Sequence, residues 1–162
     1  MGKVIGADGL LAMRDTWQRE GRRIVLASGA FDLLHPGHIR LLEQARSAGD
    51  ILVVAVESDT QVRKSSTSGA KSGVARPATP ASERTEIIAS LTATDYAFEL
   101  GNLLLEEWVA QFQPDILVQG GAGPALVEIS KLEAADTSLL RIPLEPGYST
   151  AALIERIQQL PQ

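Results

Sequence analysis

Short apolar, β-rich runs alternate with helical patterns along nearly the whole chain, and this alternation constrains the fold more than any other feature. The runs are Ile24–Ala27, Ile51–Val56, Tyr96–Phe98, Ile116–Val118 and Leu139–Ile142. Helical patterns follow around Pro36–Ala48, Pro80–Leu91, Asn102–Gln111 and Pro124–Leu132, and a last one runs from Ser149 to Leu160. Strands that alternate with helices predict an α/β fold, a parallel sheet of about five strands with helices on both faces. The first two runs are continuously apolar, as strands buried on both sides are. Residues 7–20 add an amphipathic helix ahead of the first run, and Glu20-Gly21-Arg22-Arg23 reads as its stop and connector. Residues 1–162 are thus expected to form one domain, with 1–22 as an N-terminal helical extension.

Composition narrows the function classes. The chain is 44% hydrophobic but only 4% aromatic, so the expected core is mostly Leu, Val, Ile and Ala. A net charge of −5, with no basic run longer than two residues, argues against nucleic acid as a partner. The absence of cysteine removes disulfides, thiolate metal sites and cysteine nucleophiles. No apolar stretch approaches membrane-spanning length and the start lacks a secretion signal. The expectation is a soluble, cytoplasmic protein with no membrane partner.

Ligands of such folds bind beyond the carboxyl ends of the strands, where the strand order reverses. The segments that follow strands are therefore the candidates. They are the turn after Ile24–Ala27, the Ser58–Thr79 stretch, Gly120-Gly121, and Gly147–Thr150. The first carries the chain's two histidines, His35 and His38, one helical turn apart in Ala30-Phe31-Asp32-Leu33-Leu34-His35-Pro36-Gly37-His38. Ser28-Gly29 supplies the turn and Pro36 suits a first helical position. Both imidazoles are then expected at the amino end of a helix, where backbone N–H groups attract phosphate. Ser58–Thr79 is rich in Ser, Thr, Gly, Lys and Arg. It is predicted to be a long loop, either a linker or a functional segment. Ser68-Gly-Ala-Lys71-Ser72 lacks both defining glycines of a P-loop and is not one.

Gly29 to His38 resembles the signature of the cytidylyltransferase-like nucleotidyltransferases, which implies a Rossmann-like nucleotidyltransferase fold. The resemblance continues through Glu57-Ser58-Asp59, Arg76-Pro77, Glu83-Arg84, Ala93-Thr94-Asp95-Tyr96, Pro114–Gly121 and Gly147-Tyr148-Ser149-Thr150. That order is similar to the heptose 1-phosphate adenylyltransferases, which make ADP-heptose for lipopolysaccharide, over roughly residues 23–160. In such enzymes a substrate phosphate attacks the α-phosphorus of a nucleoside triphosphate and releases pyrophosphate, so positioned donors are needed rather than a nucleophile.

The resemblance implies His35, His38 and Arg84 as catalytic residues, with Arg84 gripping triphosphate. It implies nucleotide contacts at Gly29, Ala30, Phe31, Gly37, Lys64, Lys71, Gly120, Ser149 and Thr150. Asp32, Arg76, Gln119 and Ala122 are the implied substrate-binding positions. For Asp32 two readings stay open, substrate or Mg²⁺ contact and purely local hydrogen bonding. Ser149 also reads as a plain helix cap. Mg²⁺ is implied as a cofactor carried by the nucleotide, without side-chain ligands, and a homodimer is the implied assembly.

Three departures stand out. Gln119-Gly120-Gly121-Ala122 replaces the family's Lys-Gly-Gly-Asp, Ala151 replaces a threonine, and Ser28 replaces an asparagine. Three functions therefore stay open. The first is adenylyl transfer from ATP to heptose 1-phosphate. The second is cytidylyl transfer from CTP to glycerol 3-phosphate or another polyol phosphate. The third is a catalytically inactive, nucleotide-binding regulatory domain.

Overall fold

The computed structural model describes residues 2–66, 73–121 and 125–161. The elements run β1 (Lys3–Val4), α1 (Ala7–Arg19), β2 (Ile24–Gly29), α2 (Pro36–Ser47), β3 (Ile51–Val56), α3 (Asp59–Ser66), α4 (Ala81–Ser90), β4 (Tyr96–Glu99), α5 (Leu105–Phe112), β5 (Ile116–Gly120), α6 (Ile129–Ala134), β6 (Ser138–Ile142) and α7 (Thr150–Gln158). The strands pair in parallel in the order β1-β4-β3-β2-β5-β6. From β2 the chain builds outward through β3 to β4, then returns to place β5 on the other side of β2. The crevice between β2 and β5 is therefore the topological switch point.

Each side of the sheet has its own core. Leu10 and Trp17 of α1, Trp108, Val109 and Phe112 of α5 and Leu132 of α6 cover one face. Leu42 and Ala45 of α2 and Ile88 and Ala89 of α4 cover the other. All six residues of β3 are buried, as its unbroken apolar run requires. The scarce aromatic side chains are not shared evenly. Trp17 and Tyr96 lie 5.1 Å apart, and Trp108 lies 4.8 Å from Phe98 and 5.0 Å from Phe112, all on the α1/α5 side. The amino-terminal edge of the sheet is closed by carboxylates. Asp50, Asp115 and Asp95 accept from the N–H groups of Arg23, Ile24 and Leu52 at 2.7, 2.7 and 2.8 Å. Strand-end donors that would otherwise lack partners are satisfied there, and the carboxyl edge remains for the site.

The structure departs from the sequence expectation in three places. Residues 1–22 hold the expected helix as α1, but a strand precedes it. Lys3 and Val4 pair with Tyr96 and Ala97 as a sixth strand, while Leu10 and Trp17 of α1 are core residues. The Ser58–Thr79 stretch is not loop from its start, because α3 occupies Asp59–Ser66. Ser58 and Gln61 form a reciprocal cap there: Ser58 N donates to Gln61 Oε1 at 2.8 Å and Gln61 N to Ser58 Oγ at 3.3 Å. Val62 buries its side chain beneath that cap. The helix expected at Pro124–Leu132 spans Ile129–Ala134 instead.

Candidate active site

The site grows from the end of β2. Phe31 adopts a left-handed backbone with φ 47°, which swings its ring back over Gly29 and against His38. The Phe31 and His38 ring centroids are 5.5 Å apart, edge to face. A Cβ on Gly29 would meet the Phe31 ring at 3.1–3.2 Å, so glycine is needed there to admit that ring. His35 takes the cap position of α2 in extended backbone, makes no side-chain capping bond, and Pro36 follows at the first helical position. The first turn of α2 has no acidic residue. Pro36 has no N–H and His38 N donates to the His35 carbonyl at 3.0 Å, so Gly37 N–H is what this positively polarised end offers first.

The two imidazoles stack, with centroids 3.8 Å apart and planes at 18°. Gly37 makes the stack possible, since a Cβ there would lie 3.0 Å from the His35 ring and 3.2 Å from Tyr148 Cβ. The Nδ1 atoms of both histidines are buried without a hydrogen-bond partner. Burial holds His38 down to about pKa 4, helped by the charges of His35 and Arg76, and burial lowers His35 as well. Both rings are therefore neutral at pH 7.

Two carboxylates lock the surrounding segments to this turn. The Asp32 side chain is fully buried. Its Oδ2 accepts from Arg76 Nε at 3.0 Å, and its Oδ1 accepts from Ala78 N and Thr79 N at 2.8 and 3.3 Å. These are the local hydrogen bonds of one of the two readings of Asp32. Asp59, at the start of α3, accepts through Oδ1 from Ala81 N at 2.9 Å and from Arg84 Nη2 at 2.7 Å. Arg84 is 1% exposed. Its Nε donates to the Thr79 carbonyl at 2.8 Å and its Nη1 to the Ala30 carbonyl. All three of its nitrogens reach protein acceptors. Arg84 braces the histidine turn, the 76–79 segment and α3 against one another. Three of its five N–H donors are spent on these protein acceptors, which makes Arg84 a brace of the site.

Glu57 closes β3, and its N–H donates to the Gly29 carbonyl at 3.0 Å, next to the histidine turn. Burial raises its pKa, against the pull of Arg84 and Arg76. Gly120 ends β5 across the switch point, where a Cβ would meet Leu41 Cδ1 at 2.7 Å. Gln119 is buried, and its Oε1 accepts from Leu126 N at 3.0 Å. Ser149 caps α7 by accepting from Ala152 N at 3.0 Å, and Thr150 begins that helix. Lys64 lies on α3. Lys71 and Ala122 fall outside the described residues.

Tyr148 was not among the expected site residues. Its ring runs near-parallel to His35 at 6.3 Å, and the Arg40 guanidinium lies 5.4 Å from its centroid on a side chain paired with Glu145. The stack His38–His35–Tyr148–Arg40 thereby joins the amino ends of α2 and α7. One signal was present in the sequence: an aromatic residue directly before a capping serine, in a chain with two tyrosines. Among the described residues, no group of three or more His, Asp or Glu side chains is placed to hold a metal ion, and no helix is long and apolar enough to cross a membrane.

Comparison with known proteins agrees with this geometry. Residues 26–155 match the cytidylyltransferase-like family model. The chain is 37% identical over 156 residues to the bifunctional protein HldE of Koribacter versatilis (strain Ellin345), covering 95% of this chain and 31% of that protein. Over 104 residues it is 43% identical to the bifunctional protein HldE of Desulfatibacillum aliphaticivorans, covering 64% of this chain and 20% of the relative. The chain thus spans about a third of the length of the curated relatives it matches. The lipopolysaccharide core biosynthesis protein from Thermoplasma volcanium GSS1 superposes with a TM-score of 0.60 at 26% identity, covering 77% of this chain and 98% of that one. A pantoate-β-alanine ligase from Francisella tularensis, at 16% identity and a TM-score of 0.58 over 90% of this chain and 69% of its own, shares the fold alone. With a parallel sheet, a paired-histidine helix start at its switch point and a family match across most of its length, this chain belongs to the cytidylyltransferase-like family of nucleotidyltransferases.

Proposed function

We propose that this chain transfers the adenylyl group of ATP to a heptose 1-phosphate, releasing pyrophosphate. The observation that carries the reading is the His35–His38 stack. It sets two neutral imidazoles with unpartnered Nδ1 atoms at the uncapped amino end of α2, beside the switch point. Such a site can donate hydrogen bonds to oxygens that gain charge.

In this mechanism the acceptor's phosphate oxygen attacks the α-phosphorus. His35, His38 and the first-turn N–H groups of α2 stabilise the charge that builds around that phosphorus. Gly29, Ala30 and Phe31 form the wall on which the nucleotide rests, with Gly37 keeping the imidazoles accessible. Lys64 serves the triphosphate from α3, with Lys71 as a second cation for it, while Gly120 and the α7 start at Ser149 and Thr150 border the nucleotide. Mg²⁺, held by triphosphate oxygens, neutralises phosphate charge when bound. Both Asp32 oxygens and Asp59 Oδ1 already carry protein hydrogen bonds, which suits an ion brought by the nucleotide. The heptose acceptor is favoured by the similarity to the HldE proteins and to the lipopolysaccharide core biosynthesis protein.

Pyrophosphate release tests the reading. ATP with heptose 1-phosphate is expected to exceed CTP with glycerol 3-phosphate in kcat/KM. Activity only with CTP would make the chain a cytidylyltransferase. Nucleotide binding in a thermal-shift screen with no pyrophosphate from any pair would make it a binding domain.

A further inference from the structure

We propose that Arg76 is the arginine that takes the oxygens of the departing pyrophosphate, and that Asp32 is the positioning residue that aims it. This inference rests on the nucleotidyl-transfer reading of the same site. It moves Arg76 from the acceptor side to the leaving-group side, and Asp32 from ligand to support.

The argument begins with supply and demand for positive charge. A nucleoside triphosphate brings several negative charges to a chain whose net charge is −5. The buried arginine of the site, Arg84, has each of its nitrogens on a protein acceptor. Arg76 differs. Only its Nε is used, on Asp32 Oδ2 at 3.0 Å, and its side chain is 23% exposed. Its two terminal nitrogens have no partner among the described residues. A guanidinium fastened at Nε presents its Nη pair as a flat fork, the geometry that matches two oxygens of a phosphate.

The anchor is firm. Both Asp32 oxygens are occupied, and the backbone N–H groups of Ala78 and Thr79 fix the carboxylate from the far side. Asp32 sits three residues before His35, so the fork is tied to the same turn that carries the imidazoles. Its contact with Asp32 holds Arg76 just beyond the carboxyl end of β2, and its charge acts on His38 and Glu57. In the reaction an acceptor oxygen bonds to the α-phosphorus while the bond from that phosphorus to its β-bridging oxygen breaks. The electron pair stays on that oxygen, and the Arg76 fork meets the charge as it forms.

Calorimetric binding of inorganic pyrophosphate and of heptose 1-phosphate separates the two possible phosphate sources. In Arg76→Ala and Arg76→Lys, pyrophosphate affinity is expected to fall by about tenfold or more, because an ammonium cannot hold Asp32 and fork a phosphate together. Heptose 1-phosphate affinity should stay within about twofold. Asp32→Asn should weaken pyrophosphate less, and combining it with Arg76→Ala should add little further loss. His38, which faces His35 and Arg76, gives an independent readout by NMR: its pKa should rise in Arg76→Ala and hold in Arg76→Lys. If Arg76→Ala does not fold, Arg76→Lys and Asp32→Asn carry the binding test. Unchanged pyrophosphate affinity in folded variants, a loss confined to heptose 1-phosphate, or an unmoved His38 pKa in Arg76→Ala would overturn the proposal. Wild-type protein that binds neither pyrophosphate nor nucleotide would instead sink the nucleotidyl-transfer reading beneath it.

Discussion

His35 and His38 face each other at 3.8 Å with planes only 18° apart, and neither Nδ1 has a partner. Two neutral imidazoles beside the amino end of α2 act on a developing charge more than on a ground-state ligand. His38→Ala is expected to lower kcat by roughly 10²–10³, about 3–4 kcal/mol of transition-state stabilisation. Nucleotide KM should change far less. Steady-state kinetics that show a raised KM with kcat intact would reduce the histidines to binding residues.

A stacked pair at this distance opposes charge on both rings, and burial lowers the pKa of each. His38 titrates near 4 when folded and near 6.5 when unfolded. The unfolded chain therefore binds the proton first. The stability contribution of neutral His38 is fully present above about pH 6.5, falls as pH drops, and levels off below about 4. His38 keeps some solvent contact, so the loss is expected to be about 1–2 kcal/mol after screening. Urea melts from pH 6.5 to 5 should slope more steeply for wild type than for His38→Gln. Equal slopes would mean that the imidazole is not held neutral by the fold. A bound triphosphate supplies the opposite field, so nucleotide binding near pH 5.5 should take up protons, measurable by calorimetry in buffers of different ionisation enthalpy.

Arg84 is expected to fail as a structural part before it fails as a ligand. Removing its side chain strands two carbonyls and the Asp59 carboxylate. Asp59 is 32% exposed and can rehydrate, so Arg84→Ala should cost about 3 kcal/mol, the lower end for a broken buried pair. Arg84→Lys keeps the charge but reaches fewer acceptors, and about 1–3 kcal/mol should be lost. Denaturant melts paired with nucleotide KM decide the matter. Full stability with a sharply raised KM would restore the direct triphosphate grip.

How much of this could be read in advance depended on where each residue's partners lie. β2, β3 and the histidine turn were legible because their signals are local: unbroken apolar runs, Ser28-Gly29, and Pro36 at a helix start. β1 was not, because Lys3 and Val4 are strand only through pairing with Tyr96 and Ala97, more than ninety residues away. The start of α3 carries a local signal too, since Ser58 and Gln61 have the spacing of a capping box. The roles of Arg84 and Asp32 were hidden for a different reason. Their partners include the Ala30 carbonyl and the Ala78 and Thr79 amides, and backbone groups leave no mark in a sequence.

The last prediction separates the two departures from Lys-Gly-Gly-Asp. Gln119 is 3% exposed and holds Leu126 N through Oε1, a bond that a lysine ammonium cannot accept. Gln119→Lys should therefore cost about 1–3 kcal/mol of stability without changing which acceptor is preferred. Ala122→Asp adds a charged group where the family carries one. If that position reads the acceptor, one charged hydrogen bond gained, about 1.5–3 kcal/mol, should move the preference by tenfold or more. Comparing kcat/KM for heptose 1-phosphate and glycerol 3-phosphate in the wild type and both variants tests each position by itself. A ratio that moves with Gln119→Lys in a fully stable protein would turn that side chain toward the ligand. A ratio that stays fixed with Ala122→Asp would leave acceptor choice to other residues of the site.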